Sequence, residues 1–178
     1  LFLAFFARPL VAFVFGAKWS EAAVLLQILS LWAAVRSTGN PIGSLILAKG
    51  RTDIGFYWNL SLLLVIPATI YAGSLWGLAG VCRSLLIIQA VLLVPAWYFL
   101  VYRLCQARFS EYLIEITRPL LLALGAAIIA FWITSWLPSG VILLATALVV
   151  FGAIYWGLSK KYNPAFLNVM GEMIPKRL

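Results

Sequence analysis

The chain has 178 residues, 65% of them hydrophobic and 10% charged, and a mean hydropathy of +1.06. Soluble domains carry about 25% charged residues, so the composition excludes a soluble class and leaves a polytopic membrane protein. The +8 net charge, 13 Lys and Arg against 5 Asp and Glu, reports positive cytoplasmic loops and contact with anionic headgroups rather than nucleic acid.

Leu1 lies inside an apolar run, with no Met and no charged leader ahead of a cleavage site. The expectation is a C-terminal piece of a longer protein, beginning in mid-helix. Apolar runs long enough to span fall at 1–15, 22–48, 54–72, 78–102, 119–137 and 140–158. The second is long for ~30 Å of hydrocarbon and is interrupted by Gly39-Asn40-Pro41, which predicts a kink or unwound turn there. Pro67 and Pro95 are further expected kinks. Between the fourth and fifth spans, residues 106–118 place Phe109, Tyr112, Leu113 and Ile116 on one helical face and Glu111, Glu115 and Arg118 on another. That pattern predicts a short amphipathic connector on the cytoplasmic leaflet, the alternative being an ordinary connecting loop. Residues 119–158 then supply two spans, and 159–178 a surface tail.

Charge sets the orientation. Segments 49–55, 103–118 and 159–178 hold Lys49, Arg51, Arg103, Arg108, Arg118, Lys160, Lys161, Lys176 and Arg177, whereas the alternate loops hold only Lys18. The basic set, with the C-terminus, is expected in the cytoplasm. Trp19, Trp58, Trp76, Trp97, Trp132, Trp136 and Trp156 sit near predicted span ends, as an interfacial belt requires.

Three cations interrupt apolar runs: Arg8, Arg36 and Arg83. Arginine in hydrocarbon costs at least ~2.5 kcal/mol, so such residues face a polar cavity, a partner or, near a span end, headgroups. No carboxylate falls within the predicted runs, and the asymmetry points to anionic cargo. Arg36 carries most of this argument. At helical spacing Trp32, Arg36, Gly39, Asn40 and Gly43 form a small, polar, cationic stripe beside the Pro41 break, as a helix lining a hydrated cavity should. The alternative is helix packing, with Gly39 and Gly43 as a close-approach pair and Arg36 bonded to a neighbouring carbonyl. Trp32 either packs or stacks on the Arg36 guanidinium or a sugar face. Asn59 and Gln89 are read as interhelical hydrogen-bonding residues. The acids lie outside the predicted spans and pair with no nucleophile, and there is no His, so no catalytic residue, cofactor or metal is assigned. Cys82 and Cys105 fall about 34 Å apart on one helix and are not expected to pair.

The strings Phe15-Gly16-Ala17-Lys18-Trp19, Leu26-Gln27-Ile28-Leu29, Arg36-Ser37-Thr38-Gly39-Asn40-Pro41 and Leu47-Ala48-Lys49-Gly50-Arg51-Thr52-Asp53 resemble bacterial polysaccharide flippases. These are lipopolysaccharide-biosynthesis exporters of the multidrug/oligosaccharidyl-lipid/polysaccharide superfamily, and the likeness is strongest to the colanic acid exporter subgroup. It covers roughly residues 10–105. The resemblance implies an all-α, two-lobed, V-shaped bundle of which residues 1–105 form part of the C-terminal lobe, completed by a missing N-terminal lobe. It also implies a polyprenyl-diphosphate-linked oligosaccharide as cargo, moved across the inner membrane by alternating access. Arg36, Arg8 and Arg83 would then meet the diphosphate, Asn40 and Trp32 would line the cavity, and Gly39 and Pro41 would act as a hinge. Membrane lipids are the other expected contact, and no nucleic acid. The rival readings are a multidrug exporter of the same superfamily, a membrane enzyme of the pathway such as a polymerase, and a structural subunit whose arginines bind anionic lipid.

Overall fold

The computed structural model describes residues 1–137 and 140–162, except for the Asn40 side chain. Two expectations lie partly outside this range: the turn at 138–139, and the tail beyond Tyr162. Among the described residues there is no strand, and the molecule is an all-α polytopic bundle.

The helices are α1 (Phe2–Phe15), α2 (Ala22–Ser37), α3 (Asn40–Ala48), α4 (Thr52–Ser74), α5 (Gly77–Val91), α6 (Leu93–Ala96), α7 (Arg103–Cys105), α8 (Phe109–Thr134) and α9 (Val141–Tyr162). A π-helical stretch, Trp97–Tyr102, links α6 to α7 and makes Gly77–Cys105 one long rod. Five units are long and apolar enough to cross a membrane: Ala22–Ala48, Thr52–Ser74, Gly77–Cys105, Phe109–Thr134 and Val141–Tyr162. Their apolar side chains largely point outward, with Leu64 74% and Trp132 73% exposed. A soluble protein would bury such surface; a bilayer covers it.

α4, α5, α2 and α1 pack in succession, and α8 and α9 cover the far side of α1. Small residues set these approaches. Ala126, Ala127, Ala130 and Ala147 are fully buried in the α8–α9 region, where Phe6 of α1 joins Ala130 and Ala147. Close backbone approach gives the dispersion contacts that lipid cannot outcompete. α1 continues through Pro9, and beside that position Gln27 Nε2 donates to the Ala4 carbonyl at 3.1 Å. The second span breaks as its sequence predicts. α2 ends at Ser37, and Thr38 and Gly39 donate their backbone N–H groups to the carbonyls of Val35 and Arg36. These tightened bonds precede Pro41, which has no N–H to give Ser37.

Two sequence expectations are corrected. α8 is one 26-residue helix from Phe109 through Pro119 to Thr134, so residues 106–118 are not a separate amphipathic connector. The reason is tertiary: Ile116 is buried, and Tyr112 packs on the Ile42, Ile46, Leu100 and Val101 cluster, so this apolar face meets protein instead of lipid. Glu111 and Glu115 therefore belong to a spanning helix, and the Glu111 carboxylate accepts from the Arg108 backbone N–H at its start. The second correction concerns tryptophan. Trp19, Trp76, Trp132, Trp136 and Trp156 are exposed as a belt requires, but Trp58 and Trp97 turn inward. Trp97 Nε1 donates to the Ala107 carbonyl at 3.0 Å and its ring packs edge-on to Phe109, which fixes the turn into α8.

Candidate functional site: a polar cavity at the helix break

The cluster of Ile42, Ile46, Leu100 and Val101 joins α3 to the π-helical stretch, with Trp58 of α4 packed against it. This apolar floor lies close to the basic turns. Arg51 in the α3–α4 turn grips Asp53 with both Nε and Nη2, each at 3.0 Å from a carboxylate oxygen. The hydrogen bond from Asp53, and then its charge, hold the Arg51 guanidinium above its ordinary pKa.

Above the floor the three walls diverge. Between the α2–α3 break, α4 and the Gly77–Cys105 rod lies a cavity of about 260 Å³. Arg36, Thr38, Gly39 and Gly43 line it from the broken span, Gly55, Trp58 and Asn59 from α4, and Gln89 from α5. At about 1.5 Å per residue, Arg36 stands about 20 Å from the Gly50 turn, Gln89 about 20 Å from Arg103, and Asn59 about 13 Å from the turn. Because Ile46 and Leu100 belong to one buried cluster, the two reference points are roughly level. Arg36 and Gln89 therefore lie at one depth, near the middle of the bundle, with Asn59 nearer the basic end.

Arg36 is exposed, and its Cζ lies 5.2 Å from the centre of the Trp32 ring. The guanidinium thus stacks on the part-buried Trp32 ring. The indole Nε1 is buried and has no acceptor among the described residues. The only ion pair among the described residues is Arg51–Asp53, so no carboxylate there neutralises Arg36. The glycines decide between cavity and close packing. A Cβ on Gly43 would meet nothing within 4 Å, and one on Gly39 only its own helix's Arg36 carbonyl oxygen. Neither glycine serves a helix–helix contact; both border open space.

Arg8 and Arg83 do not join Arg36. Both are exposed, on α1 and α5, and neither lines this cavity. Asn40 begins α3 next to the cavity glycines, though its side chain is outside the described set. Gly39 and Pro41 flank the discontinuity itself. The expectation that Asn59 forms an interhelical bond is corrected: its Nδ2 donates at 2.9 Å to Gly55 of its own helix. Gln89 makes no side-chain hydrogen bond among the described residues. The signal that could have grouped Gln89 with Arg36 was a shared mid-span depth; Asn59 gave none.

A second, more apolar cavity of about 540 Å³ lies across the break, bounded by α2, α3, α8 and α9. Thr38, Ile42 and Tyr112 border both cavities, and Glu115 lines the larger one.

No protein-family model matches the chain, and no solved structure matches it significantly. Three curated relatives do. The lipopolysaccharide biosynthesis protein WzxC of Escherichia coli K12 is 32% identical over 122 residues, 68% of this chain and 25% of WzxC. The teichuronic acid biosynthesis protein TuaB of Bacillus subtilis 168 is 34% identical over 125 residues, 68% of this chain and 25% of TuaB. An uncharacterized membrane protein in the cps region of Klebsiella pneumoniae is 32% identical over 99 residues, 55% of this chain and 20% of that protein. The chain thus spans about a quarter of the length of the first two. With its apolar helices and these relatives, it belongs with the membrane proteins of polysaccharide biosynthesis.

Proposed function

We propose that this chain forms part of a flippase that carries polyprenyl-diphosphate-linked oligosaccharide units from the cytoplasmic to the outer leaflet of the bacterial inner membrane. The observation that carries the reading is Arg36: a cation at mid-depth, lining a cavity beside a broken helix, with no carboxylate partner among the described residues. A permanently charged group in that position attracts a diphosphate and repels cationic drugs, which favours this reading over the multidrug alternative. Discontinuous helices at the midplane are where secondary transporters place substrate, and the break at Thr38–Gly39 has that form. Gly39 and Pro41 serve as the hinge, Trp32 holds the guanidinium, and Asn40 adds polarity to the wall. Arg8 and Arg83 act on faces completed by the other helices of a full-length protein. The basic loops and the C-terminus lie in the cytoplasm. No step of this cycle makes or breaks a covalent bond, and no catalytic residue is assigned.

The test uses the full-length protein at matched membrane levels, following delivery of the lipid-linked oligosaccharide to the outer leaflet. Arg36→Ala is expected to reduce delivery at least tenfold, and Arg36→Lys to restore part of it. Normal transport by both variants removes Arg36 from the substrate path and overturns the reading.

A further inference from the structure

The hydrogen-bonding capacity around the cavity is unequal to its internal partners. Arg36 offers five N–H groups, Gln89 an amide with two N–H groups and a carbonyl, and Asn59 a carbonyl and a further N–H. Among the described residues these groups find one partner in total, the Gly55 carbonyl that accepts from Asn59 Nδ2. In a bilayer such groups cannot turn outward to bulk water, and each one left unsatisfied is costly. Interhelical bonding was the ordinary explanation for Asn59 and Gln89, and the geometry does not supply it.

Three further observations say what kind of ligand fits. The excess is in donors, so the complement is rich in oxygen. Among the described residues Arg36 is the only charged group on the cavity wall, while Gln89 at its depth and Asn59 below it are neutral. The volume of about 260 Å³ is just below the ~300 Å³ at which small-molecule pockets begin, and holds one compact headgroup rather than a whole glycan. Gly39 and Gly43 keep their wall free of side chains that would fill it.

We propose that Arg36, Gln89 and Asn59 form a single headgroup site that divides its ligand by charge. The guanidinium takes the phosphate, and the two carboxamides take hydroxyl oxygens of the first sugar attached to it. Carboxamides suit the second task because each can donate to one hydroxyl and accept from the next, whereas a second cation would compete for the phosphate. Gln89 and Asn59 are thus sugar-recognition residues, and the chain discriminates between a bare and a glycosylated lipid diphosphate. This inference rests on the transport reading given above.

The experiment measures binding to the full-length protein in nanodiscs, with polyprenyl diphosphate and polyprenyl-diphosphoryl monosaccharide as probes. Wild type is expected to bind the glycosylated probe about tenfold more tightly than the bare one. Gln89→Leu and Asn59→Leu should lose most of that difference while holding the bare probe as wild type does. Arg36→Ala should weaken both probes. Melting of the same samples separates recognition from structure: Gln89, with no partner among the described residues, can be replaced by leucine without lowering Tm, and Asn59→Leu gives up only a bond to a Gly55 carbonyl of its own helix. The division of roles is overturned if the amide variants keep the sugar preference, or if they lose it only together with a fall in Tm. If Arg36→Ala also binds both probes normally, the transport-site reading fails as well, so the two failures are distinguishable.

Discussion

Two pairs of glycines do opposite things in this molecule. Gly73 and Gly80 bring α4 and α5 together so closely that the backbones touch: a Cβ on Gly73 would fall 2.8 Å from Val81 Cα, and one on Gly80 would fall 2.7 Å from Trp76 Cβ. Beside them Ser84 Oγ donates across the helices to the Thr69 carbonyl at 3.2 Å. Gly39 and Gly43 are a similar motif on paper, yet Gly43 meets nothing within 4 Å and the space beside them holds an arginine. The first pair trades side chains for contact. The second trades them for volume. Small residues in membrane helices therefore have two uses, and only the neighbouring helix shows which one applies.

Substitution separates these uses. The largest loss of stability is expected for Gly80→Val, whose added atoms meet backbone on one side and the Trp76 stem on the other. Overpacking of this kind costs about 1–3 kcal/mol, so Tm of the purified full-length protein should fall by several degrees. An unchanged Tm would mean that the α4–α5 crossing is looser than described. At the second pair the expectation reverses. Gly43→Ala should leave Tm unchanged or slightly raised, since alanine favours helix by about 1 kcal/mol and the site is empty. Gly43→Leu should then reduce transport several-fold by filling the cavity without unfolding the protein. A parallel fall in Tm and transport would remove the contrast. The smallest effect is expected at Trp32. Trp32→Phe keeps an aromatic face for Arg36 and removes a buried N–H that has no described acceptor, so transport should fall only about two- to threefold. Trp32→Ala should fall further, towards the Arg36→Ala level. Equal activity of the two Trp32 variants would show that the stack does not position the guanidinium.

Much of the scaffold was legible from local chemistry. Run lengths and basic turns located the apolar helices, because a span must satisfy its own backbone and its ends must reach water, although the helix predicted from 119 begins at Phe109. Pro41 after Gly39-Asn40 announced the break in the second span, since proline removes a specific helical donor. The continuity of α8 was not legible. An amphipathic stripe at Tyr112 and Ile116 reads identically whether lipid or protein covers it, and here protein does. The site was half legible. Arg36 beside the break pointed inward from its own helix, but Asn59 and Gln89 joined it only because α4 and the Gly77–Cys105 rod turn those residues towards it. Arg8 and Arg83 carried a similar apolar-run signal and lie elsewhere.

The sequence by itself determined that this is an all-α membrane chain and which of its apolar runs must break. Those properties follow from hydrocarbon thickness, backbone hydrogen bonding and the missing proline N–H, all of which act along the chain. Tertiary structure alone decided which polar groups share a cavity, which glycines touch and which merely leave room. Those outcomes depend on the rotation and separation of helices distant in sequence, and no local pattern encodes either.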